Sequence, residues 1–471
     1  HQSAGEGEQN VGQLTNRYRM LLCRNALHTV RAKQIVVIAC DVVELLFREG
    51  NVAVGCPIFV GCAGNLAVPL VDAICAREDL ARVRMIGSTN GDDFLAVTDK
   101  SCFERVQYAS IFLGSSERRN YSGGNIQPNS IHYHNFYRAM RDVYKVNTLI
   151  MECSAPDEDG YLYYGSRGVC WAKVDELASK IILQVNPRQQ RVSGVHTKIH
   201  LSRVTALCYS DHPVRPYEGK PSTPREKRIA QHILPYIKDG DVLQIGIGGI
   251  PNSIAYELSD RRNLGIYSEV LTEALLELMR CGAVNLDNVQ ASFALPANGL
   301  IDDEFLPYVK FAPIDEINNP FKISQIKNFV SINSCFMADL TGQVCSENYG
   351  AGQYSGIGGQ VDFARGAAEG EGGRSFLALA STHTDKAGQV TSNIRLSLPQ
   401  GAVITAQRCD VMYLVTEWGI ADVFNKPLEE RAYAIINIAH PDFRRELFEQ
   451  ACVSGLIRPM AADISRVHLE A

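Results

Sequence analysis

None of the fourteen cysteines stands in a CxxC pair; they fall singly, as at Cys23, Cys40, Cys56, Cys62, Cys75 and Cys102. This scatter argues against a zinc knuckle or a disulfide framework, and the count suits a reducing compartment in which most of these thiols are small buried hydrophobes. No apolar run reaches the roughly 20 residues that a membrane-spanning helix needs. The opening His1-Gln-Ser-Ala-Gly-Glu-Gly7 has no basic n-region, no apolar h-region and no initiator methionine, which leaves the native start open. The expectation is a cytoplasmic protein with no membrane partner. Positive charge is also short: a net charge of −6 gives no general electrostatic reason to bind nucleic acid.

What is present is ordinary for a globular chain. With 471 residues, 46% apolar and 21% charged, there is material for two or three domains, each with its own core. The first residues, 1–12, are polar and glycine-rich and read as a flexible tail. A helix is expected around Gln13–Leu27. Gln34–Cys40 suits either a strand or a buried helix, since periodicity does not decide between them. Asn51–Gly55, Val83–Ile86, Asn147–Met151 and Lys180–Pro187, the last halted by its proline, read as β-branched strands, and a helix is expected from Val68 to Ile74. Strand followed by helix is the rhythm of a parallel α/β sheet. Four prolines in Pro213–Pro224 make a stiff connector. The predicted organisation is an N-terminal α/β domain over 13–212, a proline-rich linker over 213–226 and a C-terminal α/β domain over 227–471. Strand then glycine turn occurs at Val52–Gly64 and again at Val242–Gly249, which suggests an internal duplication.

The most informative stretch is Leu264-Gly-Ile-Tyr-Ser-Glu-Val270, which carries a carboxylate, Glu269, at the end of a short β-type run. Upstream, Val242–Ile245 runs into the glycine turn Gly246-Ile-Gly-Gly-Ile-Pro251. Strand, turn, helix, strand is a βαβ order, and it brings both strand ends to one sheet edge. Glu269 and the turn are therefore expected to be neighbours. A carboxylate beside backbone N–H donors can attack an activated acyl group while the donors hold the developing oxyanion. Taken alone, each half is more often a solvated glutamate or an ordinary turn.

Other residues compete for attention. His132-Tyr-His134 has the strand spacing of a metal pair, but no acidic or cysteine partner has a recognisable spacing, so no metal is expected. Asp362 and Arg365 could orient substrate or form a local salt bridge. Arg374, after Gly372-Gly373, could meet a phosphate or sit in a solvated turn. Glu417 and His440 read as structural, and Asn186 as a turn former.

Gly246–Pro251, Ser268-Glu269, Thr341–Ser346, Ser355–Phe363, Thr416–Asp422 and Ile438–Arg444, together with Pro156–Gly160 and Gln184–Pro187, resemble in order and spacing the motifs of class I CoA-transferases. The resemblance is to the acetyl-CoA hydrolase/transferase family, nearest its 4-hydroxybutyrate (butyrate) branch. It implies two similar parallel-sheet α/β domains with the active site in the cleft between them. It also implies ping-pong transfer of CoA from acetyl-CoA or succinyl-CoA to a short-chain carboxylate, through a glutamyl-CoA thioester. On this resemblance Glu269 is the nucleophile. The backbones of Gly246, Ile247, Gly248, Gly249, Ile250, Gly358 and Gly359 surround CoA and the oxyanion, and Glu347, Gln360 and Arg374 are further candidate contacts. Ser346-Glu347-Asn348 also resembles the nucleophile motif of a sister branch, which makes Glu347 a rival. No permanently bound cofactor is implied; acyl-CoA is a substrate, and the assembly is an oligomer of identical chains, a dimer or larger. Ser116–Tyr137, on the acyl side in the family, departs from the pattern, as do Trp418 and Asn425-Lys-Pro427. These departures leave the acid open, with itaconate-like dicarboxylates, hydrolysis or an idle binding subunit as alternatives.

Overall fold

A computed structural model of the chain describes residues 57–470 apart from 62–64, 89–90, 220 and 350–351. The expectations for the tail, Gln13–Leu27, Gln34–Cys40 and Asn51–Gly55 lie outside the described residues. The first sheet contains β1 (Pro57–Val60), β2 (Val83–Gly87), β3 (Val106–Ser110), β4 (Ile126–Pro128), β5 (Thr148–Cys153) and β6 (Lys180–Val185). A two-residue strand, β7 (Ser193–Gly194), then leaves for the other sheet before β8 (Ala206–Tyr209) returns to the first. The order is β8-β6-β5-β1-β2-β3-β4, parallel throughout. Helix α1 (Val68–Cys75), which starts with Pro69 in its first turn, follows β1, and α2 (Gly165–Ala172) is buried along its whole length.

The second sheet begins after α3 (Pro224–Ile233). Thr223 caps this helix, accepting from the Glu226 N–H while the Glu226 carboxylate accepts from the Thr223 N–H. Such a reciprocal cap, with proline in the first turn, is worth about 1 kcal/mol and fixes where the irregular proline-rich stretch ends. Then come β9 (Val242–Ile245), α4 (Gly249–Tyr256), β10 (Leu264–Thr272), β11 (Val284–Leu295), β12 (Lys310–Phe311), α5 (Ile314–Ile317), β13 (Phe329–Ser334), α6 (Gln360–Glu369), β14 (Arg374–Ala378), β15 (Tyr413–Thr416) and β16 (Gly419–Asp422). The order is β16-β15-β14-β13-β9-β10-β11-β12-β7, and only the β15–β16 pair is antiparallel.

The two sheets share one topology. Apart from the edge strand β7, each starts at a central strand, grows three strands outward, then returns to the other side of the first strand and grows again. The duplication suggested by the repeated strand–glycine rhythm is thus visible as connectivity. The halves are bound together by β7 pairing with β12 and by a continuous apolar core that runs from Phe59, Phe136 and Trp171 to Leu243, Ile266 and Phe293. All ten cysteines among the described residues are free, seven of them buried. No described helix is long and apolar enough to cross a membrane.

Candidate active site

In an open parallel sheet, ligands gather outside the carboxyl ends of the strands where the order reverses. In the second sheet that point lies between β9 and β13. A network of short polar side chains closes its floor: Ser331 Oγ donates to Gln244 Oε1 at 2.7 Å and Asn333 Nδ2 to the same oxygen at 2.9 Å. The glycine turn starts here, with the Gly246 N–H donating to the Ile332 carbonyl at 2.9 Å. Gly248 holds φ +138°, a conformation open to glycine at little cost, and so turns the chain into α4.

Glu269 sits on β10 between the buried Ser268 and Val270, three residues before the strand ends. Asn318, directly after α5, donates its Nδ2–H to Glu269 Oε2 at 2.7 Å. On the other side stands Gly359, the N-cap residue of α6. A Cβ added to Gly359 would lie 2.2 Å from Glu269 Oε2 and 2.1 Å from Asn318 Nδ2, so only glycine lets the backbone come this close. Burial pushes the Glu269 carboxyl up to about 7; the Asn318 hydrogen bond opposes the rise and the nearby Asp362 adds to it. A pocket of about 170 Å³ opens over this carboxylate, between the 246–247 turn and the 355–360 loop.

The first half of the chain supplies the facing wall. Phe112 lines the pocket and would meet a Cβ on Gly358, where φ is +60°, at 3.2 Å. Behind it, Asp362 on α6 is wholly buried and accepts from the His134 backbone N–H at 3.1 Å, with its Oδ1 2.6 Å from His134 Nδ1. Asp362 and Arg365 therefore do not pair with one another; Arg365 grips Asp410 with two hydrogen bonds of 3.1 and 3.0 Å.

Gly246, Ile247, Gly358, Gly359 and Gln360 all line the pocket with Glu269. Gly248 shapes the turn, Gly249 abuts the Glu226 carboxylate of α3, and Ile250 is buried in the core. Gln360 spans the wall, accepting from Ser346 Oγ at 2.7 Å and donating to the Ser334 carbonyl at 2.8 Å. Ser346, not Glu347, faces the pocket; Glu347 is buried behind it, with burial raising its pKa. Arg374 needs correction as a candidate contact: it opens β14 at the opposite sheet edge, where Asp241 at 2.7 Å and the Tyr236 carbonyl hold its guanidinium. Glu417 accepts from the N–H and Oγ of Ser381, and His440 caps the helix Pro441–Val453; both serve the framework. Asn318, Gln244 and Asn333 went unnoticed in the sequence because isolated amides carry no spacing signal.

Two duplicated parallel sheets meeting across a cleft, with a carboxylate cradled by glycine turns, define a CoA-transferase fold. Residues 39–217 match the acetyl-CoA hydrolase/transferase N-terminal domain and residues 300–451 its C-terminal domain; the chain belongs to this family and is an enzyme of the CoA-transferase type. It is 33% identical to the 4-hydroxybutyrate coenzyme A transferase of Clostridium kluyveri, over 83% of this chain and 92% of that one. It is 39% identical to a succinyl-CoA:cyclohexane-1-carboxylate CoA transferase of Geobacter metallireducens, over 68% and 74%. The crystal structure of a 4-hydroxybutyrate CoA-transferase from Porphyromonas gingivalis superposes with a TM-score of 0.70 at 29% identity, covering 89% of this chain and 97% of that one.

Proposed function

We propose that this enzyme moves CoA from a short-chain acyl-CoA to a small monocarboxylate, with Glu269 as the nucleophile. The observation that carries the reading is the Glu269 carboxylate at the pocket floor, held by Asn318 and pressed against Gly359. Its oxygen attacks the thioester carbonyl, the C–S bond breaks and CoA thiolate departs, leaving a mixed anhydride. Thiolate then attacks the glutamyl carbonyl, the first acid leaves as a carboxylate and a glutamyl-CoA thioester remains. The acceptor carboxylate attacks that thioester, expels thiolate and forms a second anhydride. Attack of thiolate on the acceptor's carbonyl releases the new acyl-CoA and restores Glu269. Backbone N–H groups of Ile247 and of Gly358-Gly359, which line the pocket, suit the oxyanion of each step.

The pocket lining supports a neutral acyl group. Its described residues are apolar or uncharged apart from Glu269, with no lysine, arginine or histidine to meet a second carboxylate. Butyrate and 4-hydroxybutyrate fit this lining with acetyl-CoA as donor; itaconate or a succinyl group would leave an unpaired charge beside Glu269. With acetyl-CoA as donor, butyrate and 4-hydroxybutyrate are expected to exceed itaconate in kcat/KM by roughly 10-fold or more, since an unpaired buried charge costs at least 1–3 kcal/mol. A preference for itaconate would reject the monocarboxylate assignment. Hydrolysis without an acceptor, the competing outcome of the same intermediates, is read in the same assay as CoA release.

Two further results follow from the local electrostatics. Only ionised Glu269 attacks, so kcat/KM for the acyl-CoA should climb with pH and level off above about 7. Asn318→Ala removes the donor that favours the anion, which raises the Glu269 pKa further and moves that rise to higher pH. The rate below the plateau should fall roughly 10- to 100-fold, the worth of a hydrogen bond to a charged group. An unmoved pH profile in Asn318→Ala would separate Asn318 from the nucleophile's ionisation.

A further inference from the structure

A second cluster of chemistry-bearing side chains sits where the two halves of the chain meet, and the transfer reaction does not use it. His132 and His134 flank Tyr133 at the start of a 3-10 turn, Tyr133–Asn135, rather than in the strand their spacing suggested. That turn lays both imidazoles over Asp362, 228 residues further along than His134. The two rings lie 5.5 Å apart, centroid to centroid, and only 30° from parallel. Both point Nδ1 at the same carboxylate oxygen: His134 Nδ1 is 2.6 Å and His132 Nδ1 3.4 Å from Asp362 Oδ1. One ligand atom from each of the three residues falls within 4.8 Å of the others.

Two features of this cluster are costly as they stand. His132 Nδ1 is buried and makes no hydrogen bond, so its desolvation goes uncompensated. Asp362 is a wholly buried carboxylate that meets His134 through the backbone N–H and Nδ1 but has no guanidinium beside it, since Arg365 of its own helix is committed to Asp410. Buried charges are ordinarily paired or bound to a metal. A cation between the three side chains would satisfy the orphaned nitrogen and neutralise the buried carboxylate. Two imidazoles and one carboxylate form a borderline donor set, suited to zinc and its neighbours rather than to calcium or magnesium, which prefer all-oxygen shells.

We propose that His132, His134 and Asp362 form a binding site for a zinc-class divalent cation, held between the two halves of the chain. The three side chains provide three ligands, and a fourth position is left for water or another small donor. No acidic residue stands at a recognisable spacing from the two histidines in the sequence; the fold supplies that acid from the other half. The site does not depend on the role of Glu269.

The test uses the full chain, stripped with chelator and with its thiols alkylated so that exposed Cys281 and Cys409 do not retain metal. After equilibrium dialysis against micromolar Zn2+, retained metal is counted by mass spectrometry, and the Co2+ form is examined for the visible absorption of low-symmetry coordination. One metal per chain is expected, with affinity lowered roughly 10-fold or more in His132→Ala and in His134→Ala. His132→Gln, which keeps side-chain volume, guards against a folding defect, and circular dichroism checks each variant. No retained metal, or retention equal in the wild type and both histidine variants, would overturn the proposal.

Discussion

Glu269→Gln is expected to lower kcat/KM by on the order of 10^4-fold or more, about 5.5 kcal/mol of transition-state stabilisation, while the fold remains intact. The amide keeps the shape and can still accept from Asn318 Nδ2 through its oxygen, but it forms no anhydride. The same substitution should change stability in a direction set by linkage. Burial raises the Glu269 pKa from 4.5 to about 7, so the folded state holds a proton that the unfolded chain releases earlier. This stabilising preference is complete below pH 4.5 and is lost as pH rises through about 7. Above that range the wild type carries a penalty of at most about 3 kcal/mol that glutamine does not. Glu269→Gln should therefore equal the wild type near pH 4.5 and exceed it in denaturant midpoint at pH 8, the exchange of stability for function common at active sites. Retained transfer activity in a folded Glu269→Gln protein would remove Glu269 from the chemistry.

Gly359→Ala should be nearly as damaging by a different route. The new methyl would lie 2.2 Å from Glu269 Oε2 and 2.1 Å from Asn318 Nδ2, and both groups must move to admit it. Displacing a nucleophile by about 1 Å costs on the order of 10^2-fold in rate. The loss should appear in kcat and in the yield of covalent intermediate, with circular dichroism unchanged. Gly123→Ala, where a Cβ meets nothing within 4 Å, is the neutral control. A Gly359→Ala enzyme with wild-type kcat would contradict the close approach on which the site is built.

Local patterns were the legible part of the sequence. Val242–Ile245 was readable residue for residue, because an apolar run stopped by glycines leaves little alternative to a buried parallel strand. Glu269 and the Gly246 turn stand together at one sheet edge, as the βαβ order required. What escaped was set by topology. Asn318 reaches Glu269 across 49 residues, Arg374 finds Asp241 across 133, and His134 meets Asp362 across 228. No periodicity spans such separations. Local spacing even misled: Asp362 and Arg365 looked like a pair at helical distance, yet each takes a partner from elsewhere in the fold. The histidine pair read as strand spacing because the turn that carries it has no glycine or proline between the two rings to announce it.

The most direct test of the central claim is the intact mass of the enzyme after incubation with acetyl-CoA and no acceptor acid, followed by peptide mapping of any adduct. A CoA thioester on the peptide that carries Glu269, absent in Glu269→Gln, is the predicted result. An adduct on Glu347 instead, or one of equal yield in Glu269→Gln, would contradict the account.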